Sequence, residues 1–355
     1  MNAFEGLIYG LGIAMTPGNL LAAFAGAFAG TAIGVLPGLG PVAGVALILP
    51  LTFQLDPTAG LIMMAGIFYG SMYGGSTTAI LLNIPGESAS VVTAIDGYKL
   101  ARMGRAGATL TIVAVGSFVG GTLAVIGVML FSSALAKVAI LFGPADFFAL
   151  TFGGMMVMVR ISGGTLASSL LPMTIGLALG TIGQEAVTGE TRYTFGVLHL
   201  AEGVSLVPIV VGLYGLAELM LLIEDKAHAA ARPESVKMRD LLPTKTEWKR
   251  AVPPWLRGTG VGFLFGLVPG PAATLSSFAS YRLEKAVSKH RDEIGSGAIE
   301  GVAGPEAANN SAATASLVPL LALGIPFTPI AALMISAMLV QGVQPGPLLI
   351  AQKPE

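Results

Sequence analysis

Long apolar runs separated by short polar connections dominate the chain, and the runs are apolar on all sides. Ala106–Leu135, Val138–Val159, Gly164–Gly183 and Val204–Ile223 are the clearest. At 1.5 Å of rise per residue, about 20 helical residues cross a hydrocarbon layer roughly 30 Å thick, and each run reaches that length. A surface helix of a soluble domain would show a polar face every third or fourth position, and these segments do not. The pattern predicts an all-α polytopic integral membrane protein.

Composition agrees. Of 355 residues 54% are hydrophobic and 11% charged, with a mean hydropathy of +0.78. An ordinary soluble domain carries about 25% charge. A net charge of −1 leaves no electrostatic footprint for nucleic acid. With no cysteine, disulfides and thiolate metal sites are excluded, and the three histidines, His199, His228 and His290, lack metal-ligand spacing. The start, Met-Asn-Ala-Phe-Glu, lacks a basic signal-peptide region, so its apolar segments are expected to remain in the mature protein. The 48 glycines and 22 prolines predict close helix packing interrupted by deliberate breaks.

Basic residues set a topology. Pro85–Arg105 carries Lys99, Arg102 and Arg105, and Glu224–Arg257 carries eight Lys or Arg, whereas Gln184–Gly203 has Arg192 alone. The excess of positive charge in cytoplasmic loops places the first two inside and the third outside. Arg282, Lys285, Lys289 and Arg291 form a further basic stretch. If it too lies inside, Gly258–Tyr281 enters the membrane and returns as a re-entrant hairpin. Its arms would be about 11 residues each, roughly half a bilayer, turning at Val268-Pro269-Gly270-Pro271. A Pro-kinked span with an outer loop is the alternative.

The sequence also repeats. GVLPGLGP (Gly34–Pro41) resembles GLVPGPAA (Gly266–Ala273), with Gly38 opposite Gly270, an offset of 232. YGGSTTAILLNIPG (Tyr73–Gly86) resembles NNSAATASLVPLLALGIP (Asn309–Pro326), with Ser76 opposite Ser311, an offset of 235. The reading is two structural repeats with broken or re-entrant helices at their interface, residues 1–235 forming the first and 236–355 the first half of the second. On that reading the chain stops midway through its second repeat.

Paired discontinuous segments mark transporter sites near the membrane midplane. The broken ends offer free N–H groups and a positive dipole end that hold anions without a buried lysine. Gly38, Gly40, Gly270 and Ala272 sit where a ligand would meet bare backbone. Beside them stand Ser76, Thr77, Thr78 and Asn83, then Asn309, Asn310, Ser311 and Thr314. Hydroxyl, amide and carbonyl oxygens suit a carboxylate on one side and Na⁺ on the other. Plain helix packing by small residues is the competing account of these positions. Glu306 is the candidate for cation coupling, Asp146 reads as a helix N-terminal cap, and Glu218 as an acid near a span end. An intramembrane serine hydrolase using Ser76 with His199, or a non-transporting membrane scaffold, are the other functional readings.

The motifs GVLPGLGPVAGVALILPLTF, YGGSTTAILLNIPGE, DGYKLARMGRAG, GPADFFAL and EGVAGPEAANNSAATASLVPLLALGIP together resemble the large membrane subunit of tripartite tricarboxylate transporters. The resemblance runs from about Gly30 to the last residue. It implies a multi-pass permease of the bacterial inner membrane for citrate-like di- and tricarboxylates. It also implies a small four-span membrane subunit, a periplasmic solute-binding protein, and a Na⁺ or H⁺ gradient as driving force, with no cofactor. The family signature falls on Pro37, Gly38, Ser76, Thr77, Asn83, Asn309, Asn310 and Ser311. Phe327 departs from it, standing where glycine often follows Gly324-Ile325-Pro326, and family members are typically much longer.

Overall fold

The computed structural model of the chain describes residues 3–36, 39–139, 143–161, 165–184, 190–201, 203–204, 209, 220, 241–347 and 349. Apart from a two-residue antiparallel pair, β1 (Gly183–Gln184) with β2 (Thr191–Arg192), the regular structure among them is helical. The first helices are α1 (Ala3–Ala14), α2 (Pro17–Gly34), α3 (Pro41–Thr52) and α4 (Pro57–Leu82). Next, α5 (Ser90–Leu100) runs through a π turn into α6 (Ala106–Ala139), followed by α7 (Pro144–Ile161), α8 (Leu166–Gly180) and α9 (Leu198–Ala201). The later set is α10 (Lys245–Gly266), α11 (Ala272–Val287), α12 (Glu300–Ala315), α13 (Leu317–Leu323) and α14 (Pro329–Val340). Proline opens α2, α3, α4 and α14, where its missing N–H costs nothing and its fixed φ starts the helix. The Asp56 carboxylate caps α4, and Thr244 with Glu247 forms a reciprocal capping box on α10.

Two pairs of helices touch backbone to backbone. On α2, a Cβ added at Gly26, Gly30 or Gly34 would lie 2.3, 2.2 or 2.1 Å from the carbonyl oxygen of Met63, Ile67 or Ser71 on α4. On α10, the same addition at Gly258, Gly262 or Gly266 would lie 2.1, 2.1 or 2.6 Å from the carbonyl oxygen of Gly304, Ala308 or Ala312 on α12. The glycines correspond at an offset of 232 (Gly26 to Gly258, Gly34 to Gly266), and their partners at 241 (Met63 to Gly304, Ser71 to Ala312). The helices after the glycine contacts also end alike. Asn83 (φ 57°) and Gly324 (φ 71°) are both left-handed and both precede Ile-Pro, which ends the helix. This geometry registers α4 on α12–α13 at 241, so Ser311 lies opposite Gly70 rather than Ser76.

The expected break falls between Gly266 and Ala272, but the arms are longer than half a bilayer, with 22 residues in α10 and 16 in α11. In each helix the basic residues lie toward the end away from the break. There Arg257 of α10 donates to the Glu284 carboxylate of α11 at 2.8 and 2.6 Å, so both basic stretches lie at one end of a helical hairpin. Among the described residues one helix, Ser90–Phe131, is long and apolar enough to cross a membrane, at 42 residues. Ile8–Ala14 and Pro17–Gly34, bent by 73°, make a second if they form one span. The apolar run Ala106–Leu135 lies in α6 and residues 166–180 of the run Gly164–Gly183 form α8, whereas Val138–Val159 is not one helix, since α6 ends at Ala139 and α7 starts at Pro144. Val204–Ile223 lies almost wholly outside the described residues, as does Glu218.

The glycine contacts make a stability prediction. Gly30→Val or Gly262→Val forces two backbones apart and is expected to cost about 1–3 kcal/mol, the usual penalty of overpacking. Gly260→Ala on the same helix meets nothing within 4 Å, and helix propensity predicts a small gain of up to about 1 kcal/mol. Thermal unfolding of the detergent-purified variants checks both.

Candidate functional site

Helix α12 reads EGVAGPEAANNSAATA, polar by composition, yet every residue from Glu300 to Ala315 is buried. Small residues allow this burial. Gly304, Ala308 and Ala312 let the glycine edge of α10 close in, while α11, α5 and α6 cover the other sides. Buried polar groups then need partners from those helices.

Glu306, with 0% exposure, is the centre of the arrangement. Its carboxylate accepts hydrogen bonds from Ser76 Oγ of α4 (3.0 and 2.9 Å), Thr93 Oγ1 of α5 (3.1 Å) and Ser117 Oγ of α6 (3.4 Å). One turn on, the Asn310 amide donates to Ser117 Oγ at 2.9 Å, and one further turn on Thr314 meets the Tyr69 hydroxyl at 2.9 Å. On a neighbouring face the Asn309 amide donates to Glu87 Oε1 at 3.1 Å. Glu87 itself is half-buried and follows the Ile84-Pro85-Gly86 break. Among the described residues no Lys, Arg or His pairs with Glu306 or Glu87.

Other acids are treated differently. Six residues before Glu306, the buried Glu300 accepts from Arg250 at 2.9 and 2.7 Å and pairs with His290 at 2.8 Å. Arg105 donates to Glu247 at 2.8 Å. Asp96 accepts from the backbone N–H groups of Gly295, Gly297 and Ala298 and from the Tyr281 hydroxyl. Asp146 accepts from Gly143 N at 2.8 Å, the capping role its position suggested.

The structure gathers some sequence candidates and disperses others. Ser76 bonds Glu306 and Asn310 joins them through Ser117, while Asn309 bonds Glu87 and Thr314 meets Tyr69. Thr77 and Thr78 return their hydroxyls to Tyr73 O and Gly75 O on their own helix, and Ser311 donates to Thr259 O of α10. Asn83 is exposed and ends α4. Gly40 precedes α3, and the buried Gly270 (φ 134°) donates its N–H to Phe327 O at 3.3 Å. Neither α3 nor α11 has a side-chain cap, and Val42 and Ala273 of their first turns pack on one apolar cluster. Pro37 and Gly38 lie outside the described residues. Thr93, Ser117, Tyr69 and Glu87 were not singled out by sequence. Glu87 carried a signal, as an acid next to a Pro-Gly break inside an apolar region; the two hydroxyls and Tyr69 carried none. A hydrolytic Ser–His pair is absent, because Ser76 is buried against Glu306 while His199 is exposed.

Residues 20–355 match the tripartite tricarboxylate transporter TctA family. The chain belongs to that family. It is a family of membrane transporter components and not of enzymes, which removes the serine-hydrolase reading. A relative from Agrobacterium vitis, "Uncharacterized 52.8 kDa protein in TAR-I ttuC' 3'region", is 46% identical over 355 residues, covering all of this chain and 70% of that protein. A second from the same organism, "Uncharacterized protein in TAR-II ttuC' 3'region", is 55% identical over 93 residues, 26% of this chain and 38% of that protein. No solved structure matches.

The contrast among acids predicts opposite stability effects. Arg257→Ala strands Glu284 at 0% exposure and is expected to cost up to about 3 kcal/mol, discounted because the arginine is partly solvated. Glu306→Gln keeps the shape and strands no basic partner, so stability should change by less than about 1 kcal/mol. Thermal unfolding in detergent compares the two.

Proposed function

We propose that the chain is the large permease subunit of a binding-protein-dependent secondary transporter. It imports citrate-like di- or tricarboxylates across the bacterial inner membrane as a multi-pass protein, driven by Na⁺ or H⁺. A periplasmic solute-binding protein delivers the substrate, and a small four-span membrane subunit completes the assembly. The observation that carries this reading is Glu306, fully buried among the hydroxyls of Ser76, Thr93 and Ser117 with no basic partner among the described residues. An ionised carboxylate cannot stay uncompensated in such a place, so it takes a proton or another cation. Glu306 is therefore the coupling group.

The matched glycine contacts and the two left-handed Ile-Pro breaks support a two-repeat architecture, in which Ser76 of one repeat faces Glu306 of the other. The uncapped starts of α3 and α11 support an anion site on backbone N–H groups around Gly40 and Gly270. With the cation on Glu306 and the anion at the helix ends, charge is balanced during translocation.

Uptake of labelled citrate into proteoliposomes holding both membrane subunits, with the binding protein outside, tests this. Ser76→Ala or Asn310→Ala each removes one hydrogen bond worth about 1–3 kcal/mol, so uptake affinity should fall roughly 5- to 150-fold with expression intact. Glu306→Gln should abolish gradient-driven uptake. Unaltered transport in all three would refute the site, and a scaffold would tolerate every one of them.

A further inference from the structure

The second acid, Glu87, has a neighbour with an unused acceptor. Asn309 is 1% exposed, and its Nδ2 donates to Glu87 Oε1 at 3.1 Å, while its Oδ1 is buried with no hydrogen-bond partner. An orphan acceptor in a buried polar cluster calls for a ligand that the protein does not itself supply. The ligand cannot be an anion, because the groups around it are the Glu87 carboxylate and, three residues along α12, that of Glu306. Oδ1 belongs to the same planar amide as the bonded Nδ2, which puts it within one amide group of the Glu87 carboxylate. A proton on Glu87 would donate to Oδ1 and close an acid–amide ring, and an alkali cation would take Oδ1 and the carboxylate as oxygen ligands.

We infer that Glu87 and Asn309 form a monovalent-cation site adjoining Glu306. The inference rests on the transporter reading above and extends it from one coupling acid to two. Glu87 is half-buried where Glu306 is wholly buried. It follows the break after α4, and Ser88 next to it meets Thr274 of the first turn of α11 at 2.7 Å. Glu87 is thus the more exposed member, placed against the helix start proposed for the anion. The cation enters at Glu87 and reaches Glu306 behind it.

The test is cation-dependent thermal stabilisation of the purified chain, because a cation that binds only the folded state raises the unfolding temperature. NaCl is titrated against choline chloride, and pH is lowered in choline alone. Stabilisation by Na⁺ identifies an alkali cation and stabilisation by acid alone a proton; a wild-type chain that responds to neither overturns the site. Glu87→Gln and Asn309→Leu should raise the cation concentration for half-maximal stabilisation roughly 5- to 150-fold, the loss of one ligand. Asn309→Asp keeps an oxygen in place of Oδ1 and should bind at least as tightly as wild type, so the Leu and Asp variants decide the matter even if Glu87→Gln does not fold. Wild-type titrations in Glu87→Gln and Asn309→Leu would overturn the inference while leaving Glu306 as coupling group. Loss of coupling only at Glu87, with Glu306→Gln transporting normally, would instead overturn the reading it rests on.

Discussion

The contact between the glycine edge of α10 and the backbone of α12 governs what the rest of the molecule can hold. Gly258, Gly262 and Gly266 bring the two helices so close that a methyl group would fall 2.1–2.6 Å from a carbonyl oxygen. With α11, α5 and α6 closing the remaining sides, a helix of polar composition becomes buried from Glu300 to Ala315. In a membrane, where apolar burial gives helices little reason to associate, such small-residue contacts and interhelical hydrogen bonds supply the attraction. Glu306 is buried on the faces of α12 turned to α4, α5 and α6. A bulkier edge on α10 would admit lipid or solvent to α12, and the chemistry of its acid would change with its surroundings.

Within that frame the acids divide by position. At the polar end of α12, Glu300, Glu284 and Glu247 each face an arginine, and Asp96 is satisfied by backbone N–H groups and a tyrosine. About 9 Å further along the helix, six residues at 1.5 Å each, Glu306 meets hydroxyls alone. Paired acids fix structure, because their charge is neutralised permanently. Glu306 is held by three side-chain hydroxyls, with neither a basic partner among the described residues nor the run of backbone N–H groups that holds Asp96.

Sequence made the breaks and the polar constellation legible, since Pro-Gly, Asn-Ile-Pro and Gly-Ile-Pro end helices for local steric reasons. Glu306 was visible as an acid beside the Asn309-Asn310 pair. Which neighbours it meets was not visible: Thr93 and Ser117 are ordinary small polar residues on helices far away in sequence, and only the packing of α5 and α6 on α12 brings them in. Thr77, Thr78 and Ser311 looked equivalent to Ser76 but point elsewhere, because helix rotation, which the sequence does not specify, aims successive side chains about 100° apart. The helix ends after Val138 were likewise misplaced, since apolar character alone does not locate the break before Pro144.

The offset between the two similar segments shows the same limit from the other side. Aligning letters pairs Ser76 with Ser311, at 235, since both are serines in similar company. Aligning backbone contacts pairs Gly70 with Ser311, at 241, since Met63, Ile67 and Ser71 occupy the places of Gly304, Ala308 and Ala312. Packing geometry is the stricter criterion, because a carbonyl that close to a neighbouring helix tolerates only glycine opposite it, whereas a serine tolerates many settings. On the geometric register Glu306 lies opposite Ala65 and Asn309 opposite Phe68, so neither polar group of α12 has a polar counterpart on α4. Ser76 of α4 still reaches Glu306 of α12, so that hydrogen bond joins positions that are not equivalent in this register.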